Sequence, residues 1–130
     1  MKKIVKDINY LSIPCDKIES YNKASNIANI LFKTLHESKD GIGLAANQIG
    51  INKQVCVVNV PYREPLWFMN PTYIGGHDMV ECEESCLSFP NQAVRTKRYK
   101  NIIVKCDNMK NEMIFGPKYM LECICVQHEI

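Results

Sequence analysis

No apolar stretch in this sequence approaches the roughly 18 residues that a membrane-crossing helix needs. No block of like charge runs through it either. Lys and Arg number 16 against 14 Asp and Glu, a net charge of +2. A dedicated nucleic-acid binder carries a basic stripe, so neither nucleic acid nor a membrane is predicted as a partner. Internal repeats, low-complexity segments and Ser/Gly/Pro-rich linkers are also missing. Their absence predicts one domain, residues 1–130, close to the commonest domain size. Met1–Asp7 is charged too soon for the apolar region of a secretory leader. Together these absences predict a protein that stays in the cytoplasm where it is made. Apolar residues make up 46% of the chain, enough to exclude a disordered chain and to fill a core.

Cysteine is the one plentiful unusual residue, seven in all. An odd number without a leader does not read as a disulfide framework, and a reducing compartment fits better. Contexts such as Val55-Cys56-Val57 and Lys105-Cys106 predict small buried hydrophobes.

Ala24, Ile27, Ala28, Leu31 and Leu35 recur at three- and four-residue spacing. That predicts a helix over about 20–38 with one buried face, stopped by Gly41. Lys39 to Gly43 reads as a loop. Strands are predicted over Gln54–Val60 and Leu66–Met69, the second halted by Asn70-Pro71. Gly75 to Asp78 reads as a turn, and Met79 to Ser88 as extended chain ended by Phe89-Pro90-Asn91. Ile102–Cys106 is the next strand, with a turn at Asp107–Lys110 and a return through Glu112–Phe115. Gly116-Pro117 opens a final helix over Lys118–Ile130. Helix, antiparallel strands, helix is an α+β pattern.

Three short segments concentrate unusual residues. Gly41-Ile42-Gly43-Leu44-Ala45-Ala46-Asn47-Gln48 combines closely approachable backbone with a side-chain donor. It lacks the third glycine and the Gly-Lys-Ser of phosphate loops. Glu84-Ser85-Cys86-Leu87-Ser88 places a thiol among acidic neighbours, which oppose ionisation unless a metal draws off the proton. Gln127-His128-Glu129-Ile130 is the first part of a His-Glu-x-x-His pattern. In that pattern two His one turn apart hold a metal, and the Glu accepts a proton from water.

In this order the three segments resemble the motifs of peptide deformylases: Gly-φ-Gly-φ-Ala-Ala-x-Gln, Glu-Gly-Cys-φ-Ser and Gln-His-Glu-φ-Asp-His, where φ is apolar. The first matches fully. The second has Ser85 where the family has Gly. The third matches through Ile130, and the pattern puts a further His two positions past it. Met69-Asn70-Pro71 and Ser88-Phe89-Pro90 resemble the linking segments, and the likeness spans about residues 25–130.

The resemblance implies antiparallel sheets around a central, metal-binding C-terminal helix, with an N-terminal helix beside them. It implies hydrolysis of the formyl group from N-terminal formylmethionine of nascent polypeptides, releasing formate. Cys86 and His128 would hold one divalent metal, natively Fe(II), with Zn(II), Ni(II) or Co(II) as substitutes. Glu129 would transfer the proton, while the Gln48 amide and the Leu87 backbone N–H would hold the oxyanion. Gly43 would admit the substrate backbone, and Ile42, Leu121, Ile124 and Cys125 would line the methionine pocket. The expected partners are formylated nascent peptides and the ribosome, with the protein a monomer in the cytoplasm of a bacterium or a phage-infected host.

Three other readings exist. One is a deformylase-like fold that binds formylated N-termini without turnover. Another is a structural zinc module drawing on Cys82, Cys86, Cys123, Cys125 and His128. On a helix Cys123 and Cys125 point about 200° apart, which opposes a shared ion. A cysteine hydrolase pairing Cys86 with His128 lacks the positive charge that would form a thiolate.

Overall fold

The computed structural model describes residues 4, 14–38, 42–61, 64–86, 89–110 and 112–115, with backbone alone for 77–86, 89–97 and 100. The predicted C-terminal helix, with Gly116-Pro117 before it, lies outside the described residues.

Helix α1 spans Tyr21–His36, close to its predicted bounds. Ser20 caps it, its hydroxyl oxygen accepting the Lys23 N–H at 3.3 Å, which satisfies one of the otherwise orphaned first-turn donors. Lys33 and His36 sit in the last turn, where positive charge complements the helix dipole. The helix stops before Gly41 is reached. The Ser38 hydroxyl donates to the Thr34 carbonyl at 3.2 Å, and the Ser38 N–H donates to the Leu35 carbonyl. These bonds close the last turn without a left-handed glycine.

The first sheet has the order β1–β2–β3, with β1 at Gly43–Ala45, β2 at Val55–Val58 and β3 at Leu66–Met69, all antiparallel. Both its faces are covered, so β2 is buried along its whole length. One face packs Leu44, Val55, Val57 and Met69 against Ala24, Ala28, Leu31 and Leu35 of α1. Burying each such Leu contributes about 1.5–3 kcal/mol. The other face packs Cys56, Val58 and Phe68 against Ile102, Val104 and Phe115 of the second sheet. Alternation along Val55-Cys56-Val57-Val58 therefore feeds two different cores.

The second sheet has the order β4–β5–β6, with β4 at Thr72–Cys86, β5 at Phe89–Lys105 and β6 at Met113–Phe115. Here the structure corrects three expectations. Gly75 to Asp78, His77 included, is strand rather than turn. One of its glycines serves close packing: a Cβ on Gly76 would lie 2.8 Å from the Tyr99 ring, whereas one on Gly75 would meet nothing within 4 Å. The register slips between Tyr73 and Gly75, a bulge that lets the strand bend and continue. Phe89 opens β5 instead of ending a strand, because long-range pairing with β4 overrides the local turn signal of Pro90-Asn91. The third correction is Gly43, which is strand β1 rather than loop.

The two sheets are tied at a polar corner. Asn70 adopts a left-handed φ of 49°, which Asn tolerates better than most residues. Its Oδ1 accepts the Ile18 N–H at 3.0 Å, and its Nδ2 donates to the Ile18 carbonyl and to Asp107, each at 2.7 Å. Next to it, the Asn108 amide accepts from the Met69 N–H and donates to the Trp67 carbonyl, both at 2.9 Å. One side chain thus occupies the edge of β3 as a neighbouring strand would.

Candidate active site

The Gly41–Gln48 segment folds as strand followed by a single 3₁₀ turn, Ala46–Ile49. Gly50 ends the turn at φ 85°, where a side chain would be strained. The Ile51 N–H reaches back to the Ala46 carbonyl at 3.0 Å. Ala46, Gln48 and Ile49 are all buried. Ala46 packs in the core beside α1, whereas Ala45 is half-buried against the inter-sheet core.

Among the described residues β1 is the terminal strand of its sheet, and the ladder shows which backbone groups face away from β2. The Asn59 N–H donates to the Ile42 carbonyl at 2.7 Å, in step with the pairs Gly43↔Val58, Leu44↔Val57 and Ala45↔Cys56. Antiparallel residues alternate between facing their partner strand and facing away. Ile42 and Leu44 therefore turn toward β2. Gly43 and Ala45 present their N–H and C=O groups on the opposite edge.

On that edge the Ala45 N–H donates to Oε1 of Gln48 at 3.0 Å. An N–H can be met only by the oxygen end of an amide, so the bond fixes which end is which. Gln48 is 7% exposed. Ile42, Gly43 and Gln48 are thereby gathered on one short segment, with Ile42 half-buried against the inter-sheet core. The Ala45 contribution was missed from the sequence. Its signal was a Gln three residues after the first residue of a turn, the Gln half of a capping box.

Cys86 is the last residue of β4 and pairs with Phe89, whereas Ser85 pairs with Ala93. The ladder thus skips Pro90, Asn91 and Gln92 in one step. Pro90 has no N–H to give a ladder, and bulges of this kind are frequent beside active sites. Ser85, opposite Ala93, lies in extended strand without a positive φ, so no left-handed backbone calls for the family's glycine there.

Leu87, Leu121, Ile124, Cys125, His128 and Glu129 lie outside the described residues. Among the described residues no group of three His, Cys, Asp or Glu is placed to hold a metal. Cys82 and Cys86 both lie in β4, four residues apart and so about 13 Å along the strand. That backbone spacing is longer than two ligands of one ion commonly span, and it opposes that half of the zinc-module reading. Cys86 with His128 is a different donor set, a thiolate and an imidazole, and its chemistry fits a divalent transition metal.

The remaining described cysteines are structural. Cys15, Cys56 and Cys106 form no disulfide. Burial, then the neighbouring Asp107, pushes the Cys106 thiol up to about 12. Burial and then Asp16 raise that of Cys15. Neither is a nucleophile at neutral pH.

The family model for polypeptide deformylase matches residues 1–130. A peptide deformylase of Aquifex aeolicus is 31% identical over 126 residues, covering 92% of this chain and 74% of that one. Among solved structures, a peptide deformylase from Legionella pneumophila superposes with a TM-score of 0.88 at 28% identity, covering 100% of this chain and 79% of that one. A probable peptide deformylase from synechococcus phage S-SSM7 superposes at 0.85 with 29% identity, covering 99% and 91%. Sequence and fold agree, and the chain belongs to the polypeptide deformylase family.

Proposed function

We propose that this chain removes the formyl group from the formylmethionine that begins nascent polypeptides, using the residues named below. The family is metal-dependent. Cys86 and His128 would hold the metal, and Fe(II) is the native ion we favour. When bound, it supplies Lewis acidity, polarising the formyl carbonyl and lowering the pKa of water.

The substrate backbone lies along the outward edge of β1, where Gly43 offers an N–H and a C=O and has no side chain in the way. Ile42, with Leu121, Ile124 and Cys125, lines the pocket for the methionine side chain. Glu129 takes a proton from the attacking water. A C–O bond forms at the formyl carbon, and its carbonyl oxygen gathers negative charge. The Gln48 amide and the Leu87 N–H donate to that oxygen. Glu129 then delivers the proton to the departing nitrogen as the C–N bond breaks. Formate and a free N-terminal amine leave.

The observation that supports this reading best is the juxtaposition on β1. A buried amide whose oxygen is held by Ala45 sits beside backbone groups of Gly43 that face away from β2, within a chain whose whole length matches the family. As one catalytic domain, the protein is proposed to act as a monomer in the cytoplasm, on chains leaving the ribosome.

The test is formate release from a formyl-Met tripeptide by Ni(II)-loaded protein, with Glu129→Gln beside it. Turnover that disappears in the variant is expected. A Glu129→Gln protein as fast as the parent would remove Glu129 from the mechanism.

A further inference from the structure

We propose that the backbone N–H of Ala45 is a positioning group for the reaction. By holding Oε1 of Gln48, it keeps the other end of that amide, the NH₂, turned toward the reacting carbonyl. This rests on the reading of Gln48 as an oxyanion donor and deepens it.

The argument begins with the symmetry of a glutamine head. Its two ends have nearly the same shape and opposite hydrogen-bonding character. A half-turn about the last side-chain bond exchanges donor for acceptor at almost no steric cost. Aimed at a developing oxyanion, the donor end stabilises charge and the acceptor end repels it. An oxyanion donor that is a glutamine therefore needs a second group to break the symmetry.

Ala45 supplies it. The ladder turns its N–H away from β2 and toward the edge it shares with Gly43. That N–H meets Gln48 Oε1 at 3.0 Å. The 3₁₀ turn that brings Gln48 back over Ala45 is closed by Ile51 on Ala46 and by Gly50 at positive φ. A backbone donor in a strand of a buried sheet does not rotate, so the orientation is built in before substrate arrives. Residue 45 needs no side-chain oxygen for this, and a small side chain suffices.

The test replaces residue 45 by its α-hydroxy acid, which exchanges the amide N–H for an ester oxygen and keeps the methyl group. The expected result is a fall in kcat of about 10-fold with KM within about twofold, because the ester oxygen repels Oε1 and biases the amide toward the flipped orientation, which aims Oε1 at the oxyanion. The same exchange at Lys23, whose N–H is likewise capped by a side chain, should leave kcat unchanged. Gln48→Met separates the two levels of the claim. If Gln48→Met leaves kcat unchanged, the oxyanion reading of Gln48 fails. If Gln48→Met is slow and the residue 45 ester turns over like wild type, the positioning inference fails while that reading stands. A raised KM with unchanged kcat in the ester also overturns it, assigning the Ala45 N–H to substrate instead. Should the ester protein not fold, thermal unfolding of Gln48→Glu and Gln48→Met decides. A carboxylate still accepts from Ala45, so Gln48→Glu should melt higher; equal melting would show that the bond is not made.

Discussion

Two buried side-chain amides, Asn70 and Gln48, are each 7% exposed, yet their bonds run differently. Asn70 reaches partners 52 and 37 residues away along the chain. It joins the N-terminal segment, the end of β3 and the β5–β6 turn. The oxygen of Gln48 accepts from a backbone N–H of its own segment, three residues away. An amide spent on distant elements holds the scaffold, because removing it leaves several buried groups without partners. An amide whose oxygen is held locally has its orientation set by that neighbour. Burial alone would not have told the two apart.

That contrast can be broken by exchanging what each amide loses. Gln48→Glu should lower kcat by about 10²–10³-fold, the cost of removing an oxyanion donor, with an unfolding midpoint near that of wild type. A steady-state assay and a thermal melt on the same sample check both halves. Asn70→Ala should do the reverse, costing about 3 kcal/mol of stability in urea unfolding, with kcat per folded molecule unchanged. Were Asn70→Ala instead stable and slow, the distinction between scaffold and site would collapse.

A smaller effect sharpens the picture of the corner. Asn108→Ala removes the side chain that borders β3 and should cost about 1–2 kcal/mol by the same unfolding measurement. Gly76→Ala should cost about 1 kcal/mol, since the new methyl meets the Tyr99 ring. In the Tyr99→Ala background that penalty should vanish.

The smallest effect is a pH dependence. The Cys106 thiol is pushed up to about 12, above its ordinary 9.0, so unfolding lets it ionise earlier than the folded state does. The associated stability is complete below pH 9 and is lost as pH climbs toward 12. The urea midpoint should fall between about pH 8 and about pH 10, and fall less in Cys106→Ala.

Several elements were legible in the sequence. Helix α1 was visible because its apolar face repeats with the helical period over four turns, a signal that needs no partner. β2 and β3 were visible as short apolar runs bounded by polar and Asn-Pro stops. The family motifs were legible through residue type and order alone. The long hairpin was not. Gly75-Gly76 and Pro90-Asn91 carry ordinary turn chemistry, and only pairing between residues far apart in the chain makes them strand.

Residue identity and local period were therefore enough for the α+β class, helix α1, the buried unbridged Cys56 and Cys106, and the family. The tertiary structure alone decided where glycine meant close packing instead of a turn, and which of two buried amides held the scaffold. It alone decided that Ala45 turns its N–H onto Gln48. The physical reason is common to all three. Backbone direction and register are properties of a strand pair, and no single segment contains them.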